Sequence, residues 1–374
     1  RNDGTLPLVA GSQVAVVGPR AGDRTAFFGC YSFPRHVGVH HPEVPMGLEV
    51  SSLLEALRDD RASYRVEHAE GCPVLGGDDA GLRAAAEVAA RADVCVLALG
   101  DEAGLFGRGT SGEGCDATDL RLPGRQEELL EAVLATGTPT VVVLLVGRPY
   151  DLSRQVDRLA GAICAFFPGE EGGPALADVL SGRANPSGRL PVSFPGAAGN
   201  QPGTYLAAKL GASSGVSNLD PDPVWAFGHG LSYAPVQWEA VELVRGERWP
   251  TDGVCEVEVT LRNVAERITS EVIQIYLHDP VAEVVRPVVS LVAFARADLA
   301  PGERRRVRIR LHADLTSFTG RAGERIVQPG DVELRVGCSS ADVRGRLALR
   351  LVGARRVVGY DRRRTPDVII EPPR

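Results

Sequence analysis

The sequence predicts two fold classes in one chain: an α/β sandwich domain with a mainly parallel sheet, and after it an all-β domain built as an antiparallel sandwich. Strand-like and helix-like segments alternate in the first half of the 374 residues. This order builds a parallel sheet covered by helices. In the second half, apolar and polar residues alternate with a period of two, which is typical of strands with one face in water.

Short apolar segments in the first half are interpreted as buried strands. "DVCVLALG" (Asp93–Gly100) and "TVVVLLVG" (Thr140–Gly147) are apolar on both faces, as the strands of a covered parallel sheet are. Helical spacing predicts helices at Ser51–Asp59, residues 78–92, Pro123–Gly137 and residues 170–182. Because ligands of such sheets bind beyond the carboxyl ends of strands, the loop after Gly100 is the first place to look for a site.

The second half repeats one strand pattern. "CEVEVTLR" places four apolar residues on one face, and "RRVRIRL" and "DVELRV" do the same after the turns "LAPGE" and "VQPGD". The period changes near Tyr233, after a stretch rich in Gly and Pro. We therefore predict domains at 1–233 and 234–354, and expect residues 355–374 to form a loosely held surface tail.

Composition narrows the function classes. A net charge of -7 argues against a general nucleic-acid binder, and no apolar run approaches the length of a membrane span. The seven cysteines are odd in number and include no CxxC, so we expect free thiols, no zinc site and a cytoplasmic location. Residue 1 is Arg, the single methionine is Met46, and no signal peptide is visible, so the chain is interpreted as a fragment or a processed product.

The candidate site is the glycine-rich stretch Gly107–Gln126, "GRGTSGEGCDATDLRLPGRQ", in which Glu113 lies between Gly112 and Gly114. Glycines let a backbone come close to a ligand, and an acid that protonates a leaving group must approach it closely. By spacing alone, an incidental glutamate on a flexible surface loop remains the favoured interpretation. Carboxylates at positions 101 and 102 are rivals, while those at 116 and 119 suit local turns.

Several long motifs, in order, resemble glycoside hydrolase family 3, the β-glucosidase and β-xylosidase family. In the first half they are "NDGTLPL", "SGEGCDATDLRLPGRQEELLEAV", "VVVLLVGRPYDL", "FFPGEEGGPALADVLSGRANPSGRLPVSFP" and "FGHGLSY". In the second half, "SEVIQIYLHDP", "RPVVSLVAFARADLAPGE" and "VQPGDVELRVG" resemble the family's fibronectin type III-like domain. "GCYSFPRHVGVHHPEVP" is more similar to the xylosidase side of the family.

The resemblance implies an enzyme, an exo-acting retaining β-glycosidase (O-glycosyl hydrolase) that cleaves terminal non-reducing β-linked sugars. By motif, Glu113 aligns with the general acid/base. Ala117 departs from the pattern, because related loops often have Arg there. The nucleophilic aspartate of the family lies on an N-terminal (β/α)8 barrel that these residues do not include, so the chain alone is expected to be incomplete and inactive. The implied mechanism needs no cofactor and no metal.

The predicted partners are therefore a glycoside or oligosaccharide substrate and the barrel, with homo-oligomer formation left open. The alternative function is a non-catalytic carbohydrate-binding or interaction module, since fibronectin-like sandwiches are commonly scaffolds. His40, His41 and Cys115 are interpreted as bystanders, because metal-ligand spacing and a histidine partner for the thiol are both missing. Trp225 and Phe227 could stack on a sugar, but are interpreted as interdomain packing residues.

Overall fold

The computed structural model describes residues 1–60, 63–199, 203–211, 213, 215, 218 and 220–372. The chain divides into two compact units. The first consists of Arg1–Ala184 and Pro195–Gln201, and the second of Asn185–Phe194 and Pro202–Arg374. The chain therefore enters the second unit, returns briefly and enters it again. The domain boundary that the sequence predicts near Tyr233 stays a prediction.

The first unit contains a five-stranded sheet in which every neighbouring pair is parallel, in the order β2-β1-β3-β4-β5. Its strands are β1 (Gln13–Val17), β2 (Arg65–Ala69), β3 (Val94–Gly100), β4 (Thr140–Leu145) and β5 (Gly161–Cys164). The predicted parallel sheet is confirmed. Every residue of β3 and β4 is buried, because helices cover both faces of the sheet.

All α-helices of the described residues belong to this unit. They are α1 (Phe33–His36), α2 (Leu53–Arg58), α3 (Asp79–Ala90), α4 (Gln126–Leu134) and α5 (Gly172–Leu180). Local signals explain where two of them begin. Ser52 and Glu55 form a capping box at the start of α2, and the Asp78 side chain accepts from the Gly81 amide at 2.9 Å at the start of α3.

The strand order reverses at β1, since β2 lies on one side of it and β3 on the other. Such a reversal leaves a crevice at the carboxyl edge of the sheet, where ligands of open α/β sheets bind. β3 is the central strand, so the loop that follows Gly100 begins in the middle of that edge.

The second unit is a β-sandwich. One sheet has the order β10-β9-β14-β15-β7, a second has β17-β11-β8-β6, and a small third sheet has β12-β13-β16. The strands are β6 (Val236–Leu243), β7 (Arg248–Pro250), β8 (Val254–Asn263), β9 (Thr269–His278), β10 (Ser290–Leu299), β11 (Arg304–His312), β12 (Phe318–Thr319), β13 (Arg325–Val327), β14 (Gly330–Gly337), β15 (Val343–Val352), β16 (Arg356–Val357) and β17 (Asp367–Ile370).

One hydrophobic core fills the space between the two larger sheets. The predicted inward residues Cys255, Val257, Val259 and Leu261 of β8 all belong to it, together with Trp249 from β7. Apart from the parallel pair of β7 and β15, the described strand pairs of this unit are antiparallel. The prediction of an all-β antiparallel sandwich is therefore confirmed.

Two short parts of the segment expected to form a loosely held surface tail are paired as strands. β16 pairs with β13, and β17 pairs along four residues with β11. The tail is held because its short apolar run "DVII" completes the edge of a sheet whose last strand would otherwise leave its backbone groups unpaired. In the described part of the chain, no helix is long and apolar enough to cross a membrane.

Candidate active site

The loop after β3 is folded back on itself rather than floppy. The Thr110 amide donates to the Glu102 carbonyl at 2.8 Å, and the Gly104 amide donates to the Ser111 carbonyl at 2.9 Å. A third bond, from the Phe106 amide to the Glu113 carbonyl at 2.8 Å, extends this ladder to the tip. Glu113 therefore lies on a hydrogen-bonded loop, and the flexible surface loop is no longer the better interpretation.

The glycines of this loop are required by its own packing. Gly112 has φ +120°, and a side-chain carbon there would lie 2.1 Å from the Gly104 carbonyl oxygen and 2.8 Å from Cβ of Cys30. Gly114 also adopts a positive φ, +70°. Because L side chains avoid these angles, only glycine fits on either side of Glu113. Phe106, at φ +56°, holds a strained backbone at the same tip.

The Glu113 side chain is exposed at the tip of the loop. Its carboxylate atom Oε2 accepts a hydrogen bond from the hydroxyl of Tyr31. Tyr31 lies just before α1, 82 positions earlier in the sequence. A carboxyl group in this setting is accessible to a ligand and has one of its two oxygens already engaged.

Asp101, the first rival carboxylate, is fully buried. It accepts hydrogen bonds from the Thr110 hydroxyl at 2.7 Å, from the Gly147 amide at 2.8 Å and from the Tyr150 hydroxyl. Burial, followed by the charge of Asp101, raises the pKa of Tyr150 well above its usual range. Asp101 is therefore an anchor that ties the loop to the end of β4, and its side chain is shielded from solvent.

Glu102, the second rival, is half exposed, but its carboxylate forms an ion pair with Arg35 at 3.0 Å. Arg35 is buried, and its Nε atom also donates to the Ala103 carbonyl at 2.8 Å. These contacts fasten α1 to the base of the loop. An open groove of about 440 Å³ lies beside them, between residues 35–41 and residues 102–108.

Downstream of Glu113, the loop is held by turns and by one arginine. Asp119 accepts from the backbone amide of Arg121 at 3.0 Å and pairs with its guanidinium at 2.6 Å, which is the turn role predicted for it. Asp116 is exposed. Ala117 leaves room for a cavity of about 430 Å³ that Arg148 also lines. Arg148 donates to the Cys115 carbonyl at 2.7 Å, so a guanidinium from outside the loop fixes this backbone.

The remaining candidates have ordinary surroundings. His41 lies 3.2 Å from the Glu43 carboxylate on the surface, and Cys115 is buried. Phe227 stacks on Tyr205 with the ring centroids 4.1 Å apart; both residues belong to the second unit, so this contact is not the interdomain packing expected for Phe227. All seven cysteines are free, as the sequence predicted. Among the described residues, no cluster of three or more His, Cys, Asp or Glu side chains is arranged to hold a metal ion.

Comparison with known proteins places this site in a family. Residues 1–233 match the family model of the glycosyl hydrolase family 3 C-terminal domain, and residues 271–340 match that of the fibronectin type III-like domain. The first match covers more than half of the 374 residues. The chain therefore belongs to glycoside hydrolase family 3, a family of glycosidases.

Among similar proteins, a β-glucosidase of Rhizobium radiobacter is 36% identical over 289 residues, which cover 73% of this chain and 34% of the relative. A β-xylosidase of Formosa agariphila is 31% identical over 347 residues, 91% of this chain and 46% of the relative. The solved structure of a Listeria innocua β-glucosidase in complex with glucose superposes with a TM-score of 0.80 at 28% identity, over 94% of this chain and 47% of that one. This chain thus spans less than half the length of these relatives.

Sequence analysis singled out Glu113, whose role stays a prediction, but did not identify the side chains that hold its loop. Tyr31, Arg35 and Arg148 reach it across 82, 68 and 33 positions of sequence. No spacing rule connects residues so far apart. The available signal was indirect: Tyr31 and Arg35 lie in the stretch "GCYSFPRH", which was noticed only for its resemblance to xylosidases.

Proposed function

We propose that this chain is the C-terminal portion of an exo-acting retaining β-glycosidase, specific for β-xylosides or β-glucosides, in which Glu113 is the general acid/base. The observation that carries the proposal is the contrast among the carboxylates beyond β3. Glu113 is accessible at the tip of a braced loop, while Asp101 is buried under three donors and Glu102 is paired with Arg35.

The proposed reaction has two steps and needs a nucleophilic carboxylate from a (β/α)8 barrel outside these 374 residues. In the first step, that carboxylate attacks the anomeric carbon, and Glu113 gives its proton to the glycosidic oxygen as the bond to the leaving group breaks. In the second step, the Glu113 carboxylate takes a proton from water while the water oxygen attacks the same carbon and the enzyme carboxylate leaves. Two carboxyl groups about 5–5.5 Å apart suit this route.

The test is the Glu113→Ala variant of the barrel-containing protein, meaning the protein that carries both the barrel and this chain. Glycosides with poor leaving groups need protonation, so their kcat/KM should fall by about 10²–10⁴-fold. Dinitrophenyl glycosides have acidic leaving groups and should lose far less in kcat/KM. Added azide should accelerate the variant with the dinitrophenyl substrates and give a glycosyl azide, because this small anion attacks the glycosyl-enzyme without a general base.

Asp116→Ala is the matched control, since it removes an exposed carboxylate of the same loop. It should leave the leaving-group dependence unchanged. A Glu113→Ala variant that slows all substrates equally and ignores azide would remove Glu113 from the acid/base role. The 374-residue chain by itself is expected to show no turnover, and substantial turnover by it would place the nucleophile within these residues.

A further inference from the structure

The side chain of Tyr31 makes two contacts within the first unit, one with Glu113 and one with His36. The hydroxyl of Tyr31 donates to Oε2 of Glu113. Its ring packs edge-to-face against His36, with the ring centroids 5.9 Å apart and the planes at 83°. The contact joins the segment before α1 to the tip of the loop after β3.

The backbone around Tyr31 is restrained independently of that hydrogen bond. The Ser32 hydroxyl donates to the Gly29 carbonyl at 2.7 Å, and the His36 amide donates to the Ser32 carbonyl at 2.8 Å. The segment also touches the loop directly, because a carbon added at Gly112 would come within 2.8 Å of Cβ of Cys30. The phenol is therefore presented to Glu113 from a braced position, although the ring itself is largely exposed.

We propose that Tyr31 is a positioning residue for the acid/base: its hydroxyl holds Oε2 of Glu113, so that Oε1 is the oxygen that gives and takes the proton of the reaction. This inference rests on the proposed role of Glu113. A carboxyl group has two oxygens that exchange places by rotation, and only one can face the glycosidic bond. A donor fixed on one oxygen removes that ambiguity.

The proton balance follows the two steps of the proposed reaction. Before the first step the carboxyl proton is on Oε1, because Oε2 accepts from Tyr31. Oε1 loses that proton to the glycosidic oxygen, and the Tyr31 hydroxyl then donates to a full carboxylate, a stronger hydrogen bond than before. In the second step Oε1 recovers a proton from water. Tyr31 keeps its own proton throughout.

The first experiment tests the contact in the 374-residue chain, which needs no catalytic activity. The ionisable side chains that face Tyr31 are Glu113, Cys30 and His36. The hydrogen bond to Glu113, followed by slight burial and the Cys30 thiol, raises the pKa of Tyr31 above the ordinary tyrosine value. In Glu113→Gln, which has no negative charge, the Tyr31 pKa should fall towards that ordinary value.

The measurement is the phenolate absorbance during a pH titration. Tyr31→Phe identifies the signal by subtraction, and Tyr360→Phe is the matched control because Tyr360 is also a highly exposed tyrosine. Cys30→Ser should move the Tyr31 titration less than Glu113→Gln does. A Tyr31 titration that is the same in wild type and Glu113→Gln would overturn the inference, whatever Glu113 does in catalysis.

The second experiment uses Tyr31→Phe in the barrel-containing protein. For substrates with poor leaving groups, kcat/KM should fall about fivefold to tenfold, the size expected for one lost hydrogen bond. For dinitrophenyl glycosides, kcat/KM should stay unchanged, so log kcat/KM should depend more steeply on the pKa of the leaving group. A merely structural role would slow both substrate classes equally, and that result would overturn the inference.

The two proposals fail separately. If Glu113→Ala shows the leaving-group selectivity and Tyr31→Phe does not, Glu113 remains the acid/base and the role of Tyr31 is rejected. If Glu113→Ala shows no selectivity, the proposed function falls and the positioning role falls with it. The Tyr31 titration still reports the contact in that second case.

Discussion

The two units of this chain bury polar side chains for different purposes. At the carboxyl edge of the parallel sheet, two fully buried side chains bond the backbone at strand ends. Asp101 accepts from the Gly147 amide after β4 at 2.8 Å. Gln126 accepts from the Gly100 amide at the end of β3 at 2.7 Å and donates to its carbonyl at 2.8 Å. In the sandwich, fully buried Asn263 donates to the carbonyls of Leu299 and Ala300 at 3.1 and 2.9 Å and so joins two strand ends.

The difference lies in what the buried groups support. A parallel sheet is covered on both faces, so its polar groups concentrate at strand ends, where loops begin. There the buried network holds a loop whose tip exposes the Glu113 carboxylate to solvent. The Asn263 network holds the turn after β8, which also exposes a carboxylate, Glu266, but does not lie at the carboxyl edge of a parallel sheet. A buried polar network beneath an exposed carboxylate therefore does not mark a site by itself, and the position of the loop at the carboxyl edge of a parallel sheet is what distinguishes Glu113.

The largest expected effect separates the two cores. Leu97 of β3 and Leu334 of β14 are both fully buried, so Leu97→Ala and Leu334→Ala should each cost about 2–5 kcal/mol in their own unit. All three tryptophans, Trp225, Trp238 and Trp249, belong to the second unit, whereas the described α-helices belong to the first. In urea, Leu97→Ala should lower the midpoint followed by helical circular dichroism more than the midpoint followed by tryptophan fluorescence.

Leu334→Ala should reverse that order. The fluorescence midpoint should then move more than the circular dichroism midpoint. If either variant shifts the two probes together, the units unfold as one and the comparison of separate cores is wrong.

A smaller effect tests the network at the sheet edge. Asp101→Asn keeps the shape of the side chain but removes the charge that Thr110, Gly147 and Tyr150 face, so the first unit should lose about 1–3 kcal/mol of unfolding free energy. In the barrel-containing protein, all substrates should slow by a similar factor, because a misplaced loop affects every leaving group.

Asp116→Asn, on the exposed part of the loop, should change neither stability nor rate. Leaving-group selectivity in Asp101→Asn resembling that expected for Glu113→Ala would transfer the acid/base role to the buried carboxylate. The proposed division of roles, in which Asp101 holds the loop and Glu113 reacts, would then be wrong.

The sequence predicted most of the fold because its patterns are local. β3 was expected at Asp93–Gly100 and is found at Val94–Gly100. A short run that is apolar on both faces is stable only where both faces are covered, as in a central strand of this sheet. α4 begins at Gln126 rather than at Pro123. Gly124 adopts φ +60° and lies so close to Val74 that a side-chain carbon would come within 2.5 Å of its carbonyl oxygen, so the chain turns there before it becomes helical.

The site was predicted only at its tip. A glycine-flanked Glu113 is visible in a window of three residues, whereas its contact with Tyr31 depends on how two distant loops meet at one sheet edge. The strand pairing within the tail was missed for the same reason. Its strand β17 has an ordinary short apolar run, and only the folded sandwich offers β11 as a partner. Local elements could be predicted from the sequence, whereas contacts across the fold could not.

The smallest expected effect concerns how firmly the tail, residues 355–374, is held by Asp314. Asp314 is buried, and its carboxylate accepts from the Arg363 amide at 2.9 Å and pairs with the Arg356 guanidinium. Burial by itself would raise the pKa of Asp314, but the hydrogen bonds from Arg363 and Arg356 outweigh it and lower the pKa below the usual range. The clamp is therefore fully present above about pH 4, the unfolded value, and is lost as pH falls through the lower folded value.

Asp314→Asn should imitate acid at neutral pH. Trypsin should cut the variant at Arg362–Arg364 faster than it cuts wild type, while the urea midpoints of both units stay nearly unchanged, because the tail adds only short edge strands. Asp361→Asn is the matched control, an exposed carboxylate in the same segment. In wild type, the protection of the β17 amides, measured relative to their intrinsic exchange rates at each pH, should fall only below about pH 4. Equal trypsin rates in wild type and Asp314→Asn would mean that strand pairing alone holds the tail. The contacts of the Asp314 carboxylate with Arg356 and Arg363 would then contribute nothing to its protection.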